Sequence, residues 1–408
     1  MMENDNVLKP KPVLLLTGGD PWGDPTGGQT TFAKHLLTVF GPRLAVCSHC
    51  DDESIPVCKW VHRTSADTQI WFFNRGPIKG RKDRKSLIPA RVLAYYKARK
   101  YMPKIRQMDF CGVLIDSPEI LFAASSYNWE SICYRFAGVN NPVANSRYPW
   151  ARILGEPFEK YHIRILSRMN PNTMIAAADQ KAIEEFLTRT GNVLDRTRFH
   201  MFPTRVNTHI FYPIERNTAR NFLRLPLDRK ILVATGRLCW IKGWAFLLKA
   251  LVHIKENHPD VLLVFVGDGE DRGGIEQSVQ NMDLSKNVLI TGFVSQSDVM
   301  RYMNAADVCL VGSHREGWSL AMCEMLACGK PVVSTDVSGA SDMICDGMNG
   351  YVVKNRDPQS FSEAICKAFK LFEAKAYSLQ KAKIYSIENL AKDLASLWSP
   401  IRNQETYN

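Results

Sequence analysis

Residues 307–335 read DVCLVGSHREGWSLAMCEMLACGKPVVST, and their pattern is strand, helix, strand. Residues 307–311 are an apolar run of strand length, and residues 331–335 are another. Gly317 is expected to open the helix between them. Because two strands joined through a helix pair in parallel with a right-handed crossover, this stretch predicts a parallel sheet covered by helices.

The same alternation of apolar runs and helical periodicity extends over the whole chain. Strands are expected at 13–17, 43–47, 70–73, 112–115, 173–177, 230–236, 261–266 and 287–291, besides the two above. Helices are expected from residue 29 onward and at 89–104, 157–169, 179–189, 243–257 and 298–304. The fold class is therefore α/β.

The chain of 408 residues is too long for one ordinary core and fits two domains. We expect two Rossmann-like domains with parallel sheets, 1–205 and 206–385, facing each other across an interdomain cleft. A C-terminal helix at about 386–408 is expected to pack back onto the first domain. Gly-rich and charged loops follow several strands, and ligands of such sheets bind outside the carboxyl ends of the strands. A ligand in the cleft is therefore expected.

Glu316 and Glu324 are the first candidate binding residues. Gly317 and the expected helix start lie beside Glu316, and a helix start offers unpaired N–H groups to a phosphate or a sugar oxygen. A carboxylate there would accept hydrogen bonds from vicinal sugar hydroxyls. The plain alternative is a capping acid and an ordinary glutamate on a helix surface.

Arg237 and Lys242 lie in the loop after the expected strand 230–236, five residues apart. Together they could neutralise a diphosphate, although two solvated surface cations would have the same spacing. Gly27 and Gly28 lie between the first strand and the first helix, where glycine lets backbone N–H groups approach an anion. A simple turn would explain this glycine pair equally well.

These motifs resemble retaining glycosyltransferase family 4, also described as glycosyl transferases group 1. The resemblance rests on Glu-Gly-Trp-Ser-Leu at 316–320 with Glu324, on Gly-Arg-Leu…Lys-Gly at 236–243, and on Gly27-Gly28. It implies the GT-B fold. It further implies transfer of a sugar from a nucleotide diphosphate sugar, with retention and without a required metal, to a glycan, glycolipid or small-molecule acceptor in polysaccharide-type biosynthesis.

The resemblance also implies roles for individual residues. Glu316 would hold the transferred sugar and act in catalysis with Arg237 and Lys242, and Glu324 would hold the ribose hydroxyls. Gly27 and Gly28 would contact the donor phosphate. Backbone groups near the donor would come from Gly292, Val294, Gly317, Trp318, Ser319 and Leu320. No cofactor is expected beyond the donor as co-substrate, for which a UDP-sugar is the expectation, and no metal ligand set is expected.

Two positions depart from the family pattern. Ala137 stands where many members carry a histidine, and Ser338-Gly339-Ala340 replaces the usual Gly-Gly pair. The first departure leaves open a degenerate, non-catalytic relative that binds nucleotide sugar as a regulatory or scaffold partner. Asp116 could act as a polar group near the acceptor, although a turn or helix-capping aspartate before Pro118 is the favoured interpretation.

Charge is concentrated in the first half, where residues 1–205 hold 29 Lys and Arg against 19 Asp and Glu. Residues 75–106 contain 12 of these cations and one acid. This cluster predicts peripheral contact with an anionic membrane, or a solvated face of no special purpose. No nucleic-acid motif accompanies it, so no nucleic-acid partner is expected. Eleven scattered cysteines and no apolar leader favour a cytoplasmic protein, in peripheral contact with the inner membrane face.

Overall fold

A computed structural model describes residues 11–23, 28–65, 67–77, 89–135, 143, 152–169 and 173–400. The chain divides into two compact units. The first comprises Met1–Thr204 together with Leu390–Asn408, and the second comprises Arg205–Asn389. The chain therefore passes from one unit to the other twice, at 204–205 and at 389–390.

The first unit is built on an eight-stranded sheet with the order β3-β4-β2-β1-β5-β6-β7-β8. All neighbours pair in parallel except β3 and β4, which are antiparallel. The strands are β1 Val13–Leu16, β2 Leu44–Ser48, β3 Trp60–Ser65, β4 Thr68–Asn74, β5 Gly112–Ile115, β6 Ile132–Arg135, β7 Met174–Ala177 and β8 Phe199–Met201.

Helices cover both faces of this sheet. They are α1 Gly28–Phe40, α2 Ala90–Ile105, α3 Pro118–Ala124, α4 Gly155–Arg168, α5 Gln180–Arg189 and, from the end of the chain, α14 Leu390–Leu397. The central strand β1 is buried throughout because alternate residues, such as Leu14 and Leu15, enter separate hydrophobic cores on the two faces. Trp398, just after α14, lies in the same core as α1 and donates from its indole N–H to Ser131 Oγ at 2.8 Å.

The second unit has a six-stranded, wholly parallel sheet with the order β11-β10-β9-β12-β13-β14. Its strands are β9 Ile231–Thr235, β10 Leu262–Val266, β11 Val288–Ile290, β12 Val308–Val311, β13 Val332–Thr335 and β14 Gly350–Val353. Its helices are α6 Arg216–Leu223, α7 Trp244–Asn257, α8 Arg272–Asn281, α9 Gln296–Ala305, α10 Leu320–Ala327, α11 Ala340–Met343, α12 Pro358–Ala368 and α13 Ala374–Ile384.

Two α/β units with parallel sheets confirm the predicted fold class. Strand β9 has a special place in the second unit, because the chain builds β10 and β11 on one side of it and then β12 on the other. The strand order thus reverses between β9 and β12. Parallel sheets bind their ligands at such a reversal, outside the carboxyl ends of the strands.

One expectation about the helix at 317 is wrong. Gly317 does not open a helix, since α10 begins at Leu320 and Ser319 is its N-cap. The Ser319 hydroxyl accepts a hydrogen bond from the backbone N–H of Met322 at 3.4 Å, as a capping serine does. Glu316 therefore lies in the loop ahead of the cap, and Glu324 lies in the second turn of α10.

Candidate functional site

A recess with charged residues at its mouth lies at the carboxyl ends of β9 and β12, where the strand order of the second unit reverses. Residues that follow β9, among them Arg237 and Lys242, line one side of it. Residues that follow β12, among them Ser313 and Glu316, line the other. Three residues predicted to be catalytic, 237, 242 and 316, therefore border one recess.

Backbone contact brings these two loops together. Gly243 ends the loop after β9 with a φ of +72°, a left-handed conformation that favours glycine. A Cβ atom at this position would lie 1.8 Å from the carbonyl oxygen of Gly312, so only glycine permits the approach. The backbone N–H of His314 also donates to the carbonyl oxygen of Ile241 at 2.7 Å.

Lys242 and Glu316 form an ion pair across the recess. The Lys242 Nζ atom lies 2.7 Å from Glu316 Oε1, and the Ser313 hydroxyl donates to the same oxygen at 2.6 Å. The Lys242 side chain is 36% exposed and that of Glu316 is 11% exposed. The pair leaves Glu316 Oε2 without a donor among the described residues, so this oxygen and the remaining Lys242 N–H groups are available to a ligand.

Arg237 is exposed at the mouth of the recess, and none of the described residues pairs with it. The loop between it and Lys242 is held by backbone bonds, including Leu238 N–H to the carbonyl oxygen of Asp268 at 2.9 Å. A guanidinium on such a fixed loop can turn toward an anion without reorganising the backbone. This is the behaviour that a phosphate-binding arginine needs.

Glu324 projects from α10 and is only partly exposed. Loss of solvation raises the pKa of its carboxyl to about 8, and the positive charge of Lys242 opposes that rise. The described residues donate no hydrogen bond to this carboxyl group. It is therefore a desolvated acceptor without partners, and paired hydroxyl donors would stabilise its charged form.

The side chain of Trp318 is packed into the second unit, and the predicted contact of its backbone with a donor stays a prediction. The indole is 9% exposed and meets Tyr385 edge to face, with ring centroids 5.1 Å apart. Gly339, with a φ of +78°, passes beneath it, and a Cβ atom there would lie 2.5 Å from the indole ring. Trp318 thus anchors the loop that carries Glu316 and Gly317.

Ser338, one of the departures from the family pattern, supports the same loop. Its hydroxyl donates to the carbonyl oxygen of Gly317 at 2.8 Å. Ser319 is buried as the N-cap, and Leu320 is the first residue of α10, so their backbone groups form the helix start beside the recess. Side chains and hydrogen bonds of residues 317–320 thus support the loop and the helix start, and their predicted backbone contacts with a donor stay a prediction.

Gly292 and Val294 lie at the carboxyl end of β11, two strands away from β9. Gly292 has a φ of +71° and bridges to Gly267 in antiparallel fashion, which ties the ends of β10 and β11 together. Phe293 between the two predicted residues is 85% exposed. The segment thus lies on the same edge of the sheet as the recess, with an aromatic ring open to solvent.

Sequence reasoning missed the residues that hold the turn after β12. Arg356 donates through Nη1 and Nη2 to the carbonyl oxygens of Ser313 and Gly312, both at 2.8 Å. Thr335 at the end of β13 donates to the Ser313 carbonyl at 2.8 Å as well. These bonds join residues 22 to 44 positions apart. No local sequence signal would have revealed them.

In the first unit, the predicted phosphate loop is only partly described. Gly28 is the first residue of α1 and is exposed, whereas Gly27 lies outside the described residues, as do Ala137 and residues 78–88 of the basic cluster. The interpretation of Asp116 as a capping residue is wrong. Ser117 is the N-cap of α3 without a side-chain cap bond, and the Asp116 carboxyl instead bonds Thr17 and Gly18.

All eleven cysteines are free thiols. Across the described ranges, no group of three or more His, Cys, Asp or Glu side chains is placed to hold a metal ion. Among the same residues, no helix is both long and apolar enough to cross a membrane.

Comparison with known proteins shows a family match for most of the second unit. Residues 215–383 match the family model described as glycosyl transferases group 1. The D-inositol 3-phosphate glycosyltransferase of Streptosporangium roseum is 28% identical over 228 residues, which is 54% of this chain and 50% of that protein. The chain thus matches about half the length of such curated relatives.

Solved structures extend the similarity to nearly the whole chain. Sucrose-phosphate synthase from Thermosynechococcus elongatus is 20% identical, with a TM-score of 0.76, 98% of this chain covered and 100% of that one. HepE of Anabaena in complex with UDP-glucose is 15% identical, with a TM-score of 0.69 and coverage of 95% and 98%. At these identities the likeness shows the fold alone. Residues 215–383 thus match the family model of glycosyl transferases group 1, and the chain as a whole has the fold of GT-B glycosyltransferases.

Proposed function

We propose that this protein is a retaining glycosyltransferase that moves a sugar from a nucleotide diphosphate sugar to a hydroxyl group of a glycan, glycolipid or small-molecule acceptor. The observation that carries the proposal is the recess at the reversal of the second sheet. It combines one accessible cation, Arg237, with one ion pair, Lys242–Glu316. Outside its lining, the desolvated carboxyl of Glu324 has no donor among the described residues and lies close enough to Lys242 for that charge to lower its pKa.

Each element of the recess suits one part of a nucleotide sugar. A diphosphate needs cations, which Arg237 and Lys242 supply on a fixed loop. A ribose offers two adjacent hydroxyl donors, and Glu324 is an acceptor that lacks donors. The transferred sugar offers further hydroxyls, for which Glu316 keeps one oxygen available.

Charge development on the leaving phosphate is the step that such a recess would assist. Cations held before the reaction stabilise that charge without reorganisation, which is the largest single contribution in many enzymes. Lys242 is held in place by Glu316, and the start of α10 adds a partial positive charge. The proposed mechanism requires no metal ion, and the incoming hydroxyl would pass its proton to the departing phosphate.

A UDP-sugar is the proposed donor. The Anabaena HepE structures were determined with UDP and with UDP-glucose, which supports this choice by similarity of fold. One relative is named for D-inositol 3-phosphate, and one solved structure is a sucrose-phosphate synthase. These names support small sugar-like compounds as the first acceptors to test.

A donor panel tests the proposal directly. The purified protein is incubated with UDP-, GDP- and ADP-glucose and with UDP-galactose, in the presence of EDTA, and release of nucleoside diphosphate is measured. We expect release from one nucleotide class, unaffected by EDTA. Proton NMR of the product should show that the anomeric configuration of the donor is retained. Tight donor binding without any turnover across a broad acceptor panel would instead favour the non-catalytic relative.

We further propose that the protein is cytoplasmic and contacts an anionic membrane through the described part of residues 75–106. Helix α2 exposes Val92 and Tyr96 (40% and 63%) alongside Arg99 and Lys100, a combination typical of interfacial helices. Sedimentation with vesicles tests this proposal. Binding to vesicles containing phosphatidylserine, lost in Arg99→Glu/Lys100→Glu, is expected; equal sedimentation with neutral and anionic vesicles would contradict it.

A further inference from the structure

A second polar centre lies at the carboxyl edge of the first sheet, where residues 17–19 leave β1. Thr17 follows β1 and Asp116 follows the neighbouring strand β5. The Thr17 hydroxyl donates to Asp116 Oδ2 at 2.5 Å, and the backbone N–H of Gly18 donates to Oδ1 at 3.4 Å. Thr17 and Asp116 are 0% and 1% exposed, so this carboxyl group is buried and accepts through both oxygens.

Residue 116 also contacts the start of α1. The side chain of Gln29, the second residue of α1, donates from Nε2 to the backbone carbonyl of Asp116 at 2.7 Å. On the near side, the backbone N–H of Gly19 donates to Thr17 Oγ1 at 3.3 Å. Asp116 thus bonds both Thr17, at the end of β1, and Gln29, at the start of α1.

A buried cation completes the network. Arg75, just after β4, is 0% exposed and donates from Nη2 to the carbonyl oxygen of Thr17. Its Nε and Nη1 atoms are buried and have no hydrogen-bond partner among the described residues. A fully buried guanidinium is costly to the fold unless its N–H groups find acceptors, and the Thr17 carbonyl is one such acceptor.

The geometry points to Asp116 as a positioning residue, whose ionised carboxyl group fixes Thr17, Gly18 and Gly19 so that this loop can meet a substrate. The inference rests on the proposed transferase function, because it assigns the loop to that reaction. Asp116 touches no reacting atom in this account. It acts by fixing the position of the backbone that would contact the substrate.

Ionisation matters because only the carboxylate accepts through both oxygens without a proton of its own. Burial raises the pKa of Asp116 to about 6, while the Thr17 hydrogen bond and the positive charge of Arg135 lower it. Glu119 in α3 raises it slightly. Arg75 bonds the backbone carbonyl of Thr17, whereas the Asp116 carboxyl group bonds the hydroxyl of the same residue. Protonation near pH 6 would therefore turn one accepting oxygen of Asp116 into a donor. Below that pH, the loop at residues 17–19 would loosen.

Two variants test the inference, with Asp109→Asn as a matched control because Asp109 is an exposed aspartate of the same unit. In the wild type and the control, kcat/KM should fall about tenfold per pH unit below pH 6. In Asp116→Asn this acid limb should disappear, and kcat at pH 7.5 should fall about tenfold while donor affinity stays within twofold. In Thr17→Val, where Asp116 loses its hydroxyl donor, the limb should move to higher pH by about 0.5–1 unit.

Hydrogen–deuterium exchange supplies a readout that needs no activity. At pH 7.5, the amides of Gly18 and Gly19 should exchange several-fold faster in Asp116→Asn than in the control. Unchanged exchange together with an acid limb that stays in place in both variants would overturn the inference. If no donor is turned over at all, the proposed function fails while the exchange rates still decide the role of Asp116. If Asp116→Asn does not fold, the shift in Thr17→Val decides.

Discussion

The two sheets carry their polar centres at equivalent places, yet one centre is open and the other is closed. In the second unit, Lys242 is 36% exposed and the Glu324 carboxyl has no donor among the described residues. In the first unit, Arg75 and Asp116 are 0% and 1% exposed, and the Asp116 oxygens are both occupied by protein donors. An open centre with unused acceptors suits a ligand, whereas a closed and bonded one suits the positioning of backbone.

Replacing Lys242 gives the largest expected effect and tests whether the open centre works as proposed. In Lys242→Ala the diphosphate loses a cation and Glu316 loses its partner, so transfer should fall on the order of 10³-fold. Steady-state kinetics with the identified donor measures this. Lys249→Ala, an exposed lysine on α7, is the matched control and should stay within twofold. Comparable rates for both variants would remove Lys242 from the site.

Gly339→Ala tests the support of the open centre. A methyl group there would lie 2.5 Å from the Trp318 ring, at a φ of +78° that alanine rarely adopts. We expect a loss of roughly 2–4 kcal/mol in the free energy of unfolding of the second unit, measured by urea denaturation. Gly273→Ala, in α8 with open space around it, should instead be neutral or stabilise by about 0.5–1 kcal/mol. Equal stabilities for the two variants would contradict the packing argument.

The pH dependence of stability should reveal how much the ionised, desolvated carboxyl of Glu324 lowers the free energy of unfolding. Its pKa is about 8 when folded and 4.5 when unfolded, so its carboxyl binds the proton more tightly in the folded state. The stabilisation that comes from this tighter proton binding is fully present below pH 4.5 and is lost as the pH rises through 8. Glu324→Gln, which cannot ionise, should therefore be more stable than the wild type at pH 8, on the order of 1–2 kcal/mol after allowance for partial exposure.

Thermal denaturation at pH 5 and pH 8 checks that expectation. The melting temperature of Glu324→Gln should exceed that of the wild type by a few degrees at pH 8, and the gap should nearly close at pH 5. Glu363→Gln, at an exposed position of α12, should show no such pH dependence. A gap of the same size at both pH values would argue against a desolvated carboxyl.

Ser313→Ala should have the smallest effect of the series. It removes one of two donors to Glu316 Oε1 and leaves the Lys242 ion pair in place. A lost hydrogen bond of about 1 kcal/mol corresponds to a decrease in kcat of roughly fivefold. Ser285→Ala, exposed in the same unit, serves as the control. A decrease as large as that of Lys242→Ala would mean that the serine, rather than the lysine, orients Glu316.

The buried strands were predictable because continuous apolar runs are typical of parallel strands covered on both faces. β5, at Gly112–Ile115, matches its prediction residue for residue. Strands β3, β6, β8 and β14 were missed. β3 has no buried residue and pairs antiparallel at the sheet edge, and β14 begins with Gly350. β6 is buried throughout, but its sequence Ile-Cys-Tyr-Arg ends in a charged residue, and β8 is only three residues long. None of the four offers a long continuous apolar run.

The site was predictable at the level of motifs and unpredictable at the level of contacts. The spacing of Arg237 and Lys242 and that of Glu316 and Glu324 identified four side chains of one unit. Sequence did not predict that Lys242 and Glu316 pair with each other, because 74 residues separate them and their loops are joined by long-range contacts such as the approach of Gly243 to Gly312. The roles of Ser338, Arg356 and Asp116 depend on similar long-range bonds.

The most direct test of the account is calorimetric titration of UDP into the wild type, Glu324→Gln and Glu363→Gln. If the open centre of the second unit is a nucleotide site, the wild type and Glu363→Gln should bind with equal affinity. Glu324→Gln should then bind at least tenfold more weakly, a loss of about 1.4 kcal/mol. Equal binding by all three proteins, or no binding of UDP, GDP or ADP by the wild type, would contradict the account.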